Sequence, residues 1–369
     1  MFKQKLKYYS LNKILESKAQ YNIIIGERSN GKTYSCLMYG LSNYVKTGKQ
    51  FAYIRRWHED FSGRRGATMF DALVANNEIH KLTKGEYTDV YYWSSRWYLC
   101  RYDEKGNREK QDTPFAFGFS ISAMEHDKSS SYPNITTIIF DEFISRRGYL
   151  PNEFTLFVNT ISTIIRQRKD VIIFMLGNTV NKYGCPYFDE MGLKHIRKMK
   201  QGDVDIYRYG NTELRVAVEY CDTLRKSKEN NHYFAFDNVS LEMITGGAWE
   251  LDIYPHLPYK YKPKDVIFSY YIEYDNELLK CNIISIENNI FTFIHPTTGK
   301  LNEKQENQCI IYSTRYDARP NWRRNILKPR DNIDKKVLEF FKRDKIFYAN
   351  NDTGEIVRNY LIFCGKANI

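Results

Sequence analysis

The residues with the clearest chemical purpose stand together in "GERSNGKT", Gly26 to Thr33. The octapeptide meets G-x-x-x-x-G-K-[ST] at every fixed position, after the apolar run "YNIII" and before a helical pattern. Phosphate chemistry asks for that order, because consecutive backbone N–H groups must wrap the anion and glycine lets the chain turn and approach it closely. Gly26, Glu27, Arg28, Ser29, Asn30 and Gly31 would form the cradle, Lys32 would reach the terminal phosphates, and Thr33 would offer its hydroxyl to Mg2+. A helix starting near Gly31 adds its positive end to the site. ATP and Mg2+ are the expected cofactors.

A second group closes the run "TTIIFDEF" with Asp141 and Glu142. Asp141 is suited to the Mg2+ shell beside Thr33. Strand alternation sends Glu142 to the other face, where it can orient and deprotonate a water. Such a carboxylate serves hydrolysis better than transfer to a small acceptor, which favours an ATPase over a metabolite kinase. Asn178 ends the run "IIFMLGN", where it could touch the γ-phosphate or the attacking water. Arg166 and Arg168 lie near the end of a helix expected over 154–169. In a parallel sheet that helix runs away from the nucleotide, so a catalytic arginine there would act on a neighbouring subunit. The alternative reading is termination of the helix dipole by cations.

These groups need a sheet that presents strand ends along one edge. Runs at 21–25, 51–56, 136–143, 171–178 and 214–220 read as short buried strands, with helical stretches between them. That alternation predicts an α/β domain with a mainly parallel sheet. Residues 86–122 read as an antiparallel excursion with a turn at 105–107. We place a P-loop ATPase domain at 1–225, a linker or lid at 226–262 and a smaller mixed α+β domain at 263–369. In the last, "DVIFSYYIEY", "ELLKCNIISI", "NIFTFI" and "QCIIY" suggest an antiparallel meander, followed by a helix near 332–345 and a strand at "GEIVRNYLIF".

With 369 residues and 42% hydrophobic content, the chain can bury more than one core. Its longest clean apolar run, "VIIFML", is far below the roughly 20 residues that span a bilayer. Seven scattered cysteines, without a C-x-x-C pair, read as reduced cytoplasmic thiols. The net charge of +11 suits a polyanionic partner, and residues 1–230 carry +10 of it.

The P-loop, "FAYIRR", "KSSSYPN" directly before "TTIIFDEF", "YLPNE" after it and the "IIRQR" arginines together resemble the genome-packaging ATPases of small short-tailed, protein-primed bacteriophages. These are ring-forming ASCE P-loop translocases related to terminase motors. The match is most specific over about residues 20–180. The resemblance implies a homopentameric ring at the portal vertex of a procapsid in the host cytoplasm, driving double-stranded DNA inward. It assigns Lys32 and Thr33 to phosphate and Mg2+, Asp141 to the metal, Glu142 to the base, and Arg166 to a finger supplied in trans. Lys128 becomes a candidate second trans-acting cation. It further implies a degenerate RNase H-like C-terminal domain, and with Asp265 and Glu273 only at the ends of the first meander strand, no nuclease activity is expected. The basic stretch 315–330 would dock on capsid, portal or scaffold nucleic acid, and an RNA adaptor is a further candidate partner. Arg64, Arg65, Arg146 and Arg147, in Gly-containing loops, are candidate DNA-gripping residues. A helicase, a terminase with a live nuclease, a metabolite kinase and a non-catalytic nucleotide-gated assembly protein stay open as alternatives.

Overall fold

The computed structural model describes residues 8–123, 131–146, 148–179, 182–222, 254–257, 260–287, 289–297 and 299–366. Lys128, Arg147 and most of the expected linker lie outside the described residues. The chain divides into two compact units, Met1–Val180 with Pro186–Trp249, and Asn181–Cys185 with Glu250–Ile369.

In the first unit the β-branched and aromatic runs become strands β1 (Tyr21–Gly26), β2 (Gln50–Arg55), β3 (Asp89–Trp93), β4 (Arg96–Tyr102), β5 (Arg108–Lys110), β6 (Ala116–Ser120), β7 (Ile135–Asp141), β8 (Ile172–Asn178), β9 (Val204–Arg208) and β10 (Arg215–Tyr220). They form one sheet in the order β3-β4-β6-β2-β7-β8-β1-β10-β9, with β5 paired to β4. From β6 to β10 every neighbouring pair is parallel. β8 therefore lies between the P-loop strand β1 and the carboxylate strand β7, the strand order of an ASCE ATPase. The expected antiparallel excursion needs one correction: β6 pairs antiparallel with β4 but parallel with β2. Its apolar sequence "AFGFS" suits an internal strand covered on both faces.

Alternation along β7 feeds two layers. Ile139 joins a core with Leu37, Leu41, Phe51 and Tyr53, on the side of the Lys32–Thr47 helix. Phe140 turns the other way and stacks on Phe157 of the Glu153–Ile165 helix, ring centroids 5.0 Å apart, with Tyr187 at 5.6 Å. No helix among the described residues is long and apolar enough to cross a membrane.

The second unit carries β11 (Val266–Tyr274), β12 (Glu277–Ile286), β13 (Asn289–Pro296), β14 (Ile311–Ser313), β15 (Trp322–Arg323) and β16 (Ile346–Tyr348), in the order β15-β14-β11-β12-β13-β16. Only β11, β12 and β13 form the antiparallel meander. The fourth run does not extend it: β14 returns to the first strand, β11, in parallel, and β15 and β16 also add in parallel. The expected terminal strand "GEIVRNYLIF" is instead part of an α-helix, Asn351–Lys366. Thr353, Val357, Tyr360 and Cys364 are fully buried at a spacing of three to four that fits a helix and not a strand, with Glu355 buried beside them. Helix Asn332–Lys342 falls where the sequence indicated.

Phe140 fills the space between sheet and helix below the carboxylates and is fully buried. Replacement by alanine is expected to lower the unfolding free energy by about 3–5 kcal/mol, through lost transfer energy and a residual cavity. Urea unfolding of Phe140→Ala measures this.

Candidate active site

β1, β2, β7 and β8 all end on the carboxyl edge of the sheet, where open α/β folds bind ligands. Between β1 and the helix that begins at Lys32, the loop turns through left-handed residues Ser29 (φ 59°) and Gly31 (φ 94°). A Cβ on Gly31 would also lie 3.3 Å from Tyr8. Asn30 braces the turn by accepting the Lys32 backbone N–H at 3.2 Å.

The Lys32 side chain is buried. Its Nζ, with three N–H donors to share, lies within hydrogen-bond distance of four neutral oxygens: Glu27 O (2.6 Å), Asn30 Oδ1 (3.2 Å), Gly26 O (3.3 Å) and Asn178 Oδ1 (3.3 Å). Burial draws its pKa below the usual lysine value, against the opposing pull of Cys221, Asp141 and Glu27. A phosphate in the loop would supply charged acceptors and relieve this penalty. The residues thus fit an anion. Asn178 comes to this site by register, since β8 pairs with β1 so that Asn178 lies beside Gly26.

Asp141 faces the loop across β8. Its Oδ2 accepts the Thr33 hydroxyl at 3.1 Å and the Tyr53 hydroxyl at 2.6 Å. A hydroxyl and a carboxylate at that separation match two oxygen ligands of Mg2+, which binds through few protein groups and keeps water. Burial, with the Asp141 charge second, pushes the Tyr53 phenol well above its usual pKa, so it remains a donor. Glu142 has φ 56° and so leaves the strand's alternation. For that reason the two carboxylates do not part to opposite faces. They share one guanidinium: Arg55 lies 2.7 Å from Glu142 Oε2 and 3.6 Å from Asp141 Oδ2. The Glu142 side chain is 56% exposed, open to water.

Arg55 and Arg56 are the site residues that motif reading left without a role. β2 and β7 pair with Ile54 beside Phe140, so the arginines that follow come level with Asp141 and Glu142. "RR" and "DE" at the ends of two apolar runs were the available signal.

Other sequence candidates fall elsewhere. Arg166 is exposed, immediately after the Glu153–Ile165 helix. That helix starts beside the carboxylate turn, and thirteen residues at about 1.5 Å each put Arg166 about 20 Å from it. Arg168 takes the capping role, donating to the carbonyls of Ile135, Tyr132 and Ile164 at 2.6, 3.2 and 3.1 Å. Arg64 and Arg65 are exposed, on a single helical turn (Gly63–Ala67) where a loop was expected. Arg146 is half-buried beyond the carboxylate strand.

In the second unit Asp265 caps a turn at Lys262, while Glu273 binds Ser313 and Arg315. They sit at opposite ends of β11, about 25 Å apart by strand rise. Much of the basic stretch 315–330 is neutralised internally. Arg315 pairs with Glu273, Arg319 with Asp317 and Glu306, and Arg323 with Asp331 and Asp334. The seven cysteines are free thiols, six of them buried.

Among the described residues the Lys32 ammonium contacts only neutral oxygens, so the desolvation that its removal regains offsets the hydrogen bonds lost, and Lys32→Met is expected to change the unfolding free energy by less than about 1 kcal/mol. The same substitution should weaken ATP binding at least about 100-fold. Denaturation and calorimetric titration on one preparation test both halves.

Comparison with known proteins identifies a family and a shared fold. A family model described as podovirus DNA encapsidation protein (Gp16) matches residues 3–97 and 105–231. The DNA packaging protein of Bacillus phage phi29 is 29% identical over 185 residues, 49% of this chain and 49% of that protein. That of Bacillus phage B103 is 28% identical over 212 residues, 56% and 58% of the two chains. The chain thus spans about half the length of the curated relatives it matches. In fold it is similar to a chain of the bacteriophage Phi-29 viral genome packaging motor assembly, with a TM-score of 0.59 at 21% identity over 98% of this chain and 99% of that one. It is also similar to the Phi-28 gp11 DNA packaging motor, with a TM-score of 0.54 at 17% identity and 98% coverage of each. A phosphate loop set one strand away from an Asp–Glu pair, within a family match that covers more than half of the chain, makes this protein a member of the podovirus DNA encapsidation protein (Gp16) family.

Proposed function

We propose that this chain is an ATPase that drives double-stranded DNA into a viral procapsid, working as one subunit of a ring, pentameric by resemblance, at the portal vertex. The observation that carries the chemistry is the 3.1 Å contact between Thr33 and Asp141, with Lys32 on one side and Glu142 next in the chain. Lys32 and the loop N–H groups bind the triphosphate. Thr33 and Asp141 would hold Mg2+, which supplies charge neutralisation at the phosphate oxygens. Glu142 orients a water and accepts its proton, and Asn178 fixes the end of Lys32 that faces the phosphates. Arg166, about 20 Å from its own site by helix length, serves the neighbouring subunit. Lys128 is a second candidate for that service. Arg64, Arg65, Arg146 and Arg147 are candidates for gripping the DNA backbone, a contact without sequence information that suits a motor passing over any sequence. An RNA adaptor is a further partner to be sought.

Glu142→Gln is expected to bind ATP within about threefold of the parent while hydrolysis falls about 100- to 10,000-fold. ATPase assays with and without DNA and empty procapsids measure it, and unchanged turnover removes Glu142 from the chemistry. Lys32→Ala and Arg166→Ala subunits should each be inactive alone. Mixed together they should regain part of the ATPase rate, since each lacks what the other provides. Absence of recovery at every mixing ratio counts against catalysis in trans.

A further inference from the structure

Arg56 follows the end of β2 and is buried. Its guanidinium donates to two consecutive carbonyls of the carboxylate turn, Glu142 O at 3.2 Å and Phe143 O at 2.8 Å. It also makes a two-pronged ion pair with Glu153, at 2.8 and 2.9 Å. Glu153 is 1% exposed and is further satisfied by the Tyr187 hydroxyl (2.8 Å) and the Leu150 N–H (2.7 Å). Tyr149 lies against the guanidinium, 5.2 Å from ring centre, and its hydroxyl accepts the Ser145 N–H. Every donor and acceptor in this knot belongs to the chain between Glu142 and Glu153, or to what holds that chain in place.

Two features call for a functional account. A non-glycine residue at φ 56°, as Glu142 is, persists only where its surroundings over-determine it, and the two carbonyl contacts from Arg56 do that. A fully buried ion pair is also a poor way to add stability, since apolar residues of the same volume commonly do as well. What the pair provides is direction: a planar fork fixes two carbonyls and one carboxylate at once. Glu153 is the first residue of the helix whose last residue precedes Arg166.

We infer that Arg56 and Glu153 are positioning residues that hold the hydrolytic base of one subunit and fasten it to the arginine serving the next. The Glu153–Ile165 helix is the strut. A displacement of the Glu142 backbone is carried through Arg56 to Glu153 and along the helix to Arg166, so the state of one site sets the position of the finger in its neighbour. This rests on the proposed hydrolytic roles of Glu142 and Arg166.

The test replaces the pair by Arg56→Met with Glu153→Met, a change of similar volume that leaves no buried charge alone. The double variant should unfold at a urea concentration close to the parent's and keep the KM for ATP within about twofold, while kcat falls about 100-fold, the scale of a 1 Å misplacement. Parent-like kcat overturns the positioning role. Should the double variant not fold, Glu153→Gln preserves shape and one hydrogen bond, and a kcat loss of about 10-fold with unchanged KM is then expected; an unchanged kcat overturns the role equally. For the strut, Lys32→Ala subunits donate Arg166 to Arg166→Ala subunits in mixed rings. Adding Arg56→Met and Glu153→Met to the donor should abolish that recovery. Undiminished recovery overturns the strut and leaves the trans arrangement standing, whereas no recovery with the simple Lys32→Ala donor defeats the trans reading itself and the strut with it.

Discussion

Burying a lysine ammonium beside neutral oxygens is costly, and among the described residues of the first unit Lys32 is arranged in this way. Three of its acceptors come from the loop itself, but the fourth, Asn178, arrives only because β8 lies against β1 in a fixed parallel register. The same inserted strand sets the distance at which Asp141, one strand further out, meets Thr33. Sheet order, loop conformation and charge are therefore one problem with one solution: a preorganised seat for a polyanion, with its positive charge already stripped of water.

A second layer of organisation comes from β2. Its register with β7 sets two arginines beside two carboxylates, and burial divides their work. The Arg55 pair with Glu142 involves a carboxylate that is more than half exposed, so it is worth little and breaks easily. The Arg56 pair with Glu153 is sealed, and its hydrogen bonds go to backbone as well as carboxylate. One arginine can release the side chain of Glu142 while the other keeps the backbone beneath it still. A carboxylate can then exchange partners in water while its place in the chain stays fixed.

These relations differ in how far a sequence displays them. The octapeptide is local, and so is the strand–helix alternation, which is why Lys32, Thr33, Asp141 and Glu142 and the five principal strands were legible as pattern. Arg55 and Arg56 were visible as residues but not as roles, because a pairing across strands 86 residues apart depends on register, which no window contains. The 351–366 helix was obscured by Ile, Val, Tyr and Phe, residues whose β-propensity outweighed a burial period that becomes plain only when Thr353 is included. β14 read correctly as a strand yet was given the wrong neighbour, since a meander is the default for consecutive strands and nothing local announces a return to β11. The short segment Asn181–Cys185, which belongs with the second unit, likewise carries no compositional mark.

Charge bears on where a polyanion can be held. The basic stretch of the second unit looks like a nucleic-acid contact in sequence, but Arg315, Arg319 and Arg323 are each engaged by carboxylates of their own unit. A phosphate backbone approaching them must compete with partners already in place, and releases correspondingly little. The excess of +10 lies in residues 1–230. There Arg64 and Arg65 project from an exposed turn, and among the described residues no carboxylate lies within ion-pair distance of either. The turn is not loose: Trp97 donates its indole N–H to the carbonyl of Gly66, and Tyr92 packs where a Gly66 side chain would stand. Two exposed cations on an anchored turn can attract an anion without first giving up a carboxylate partner among the described residues.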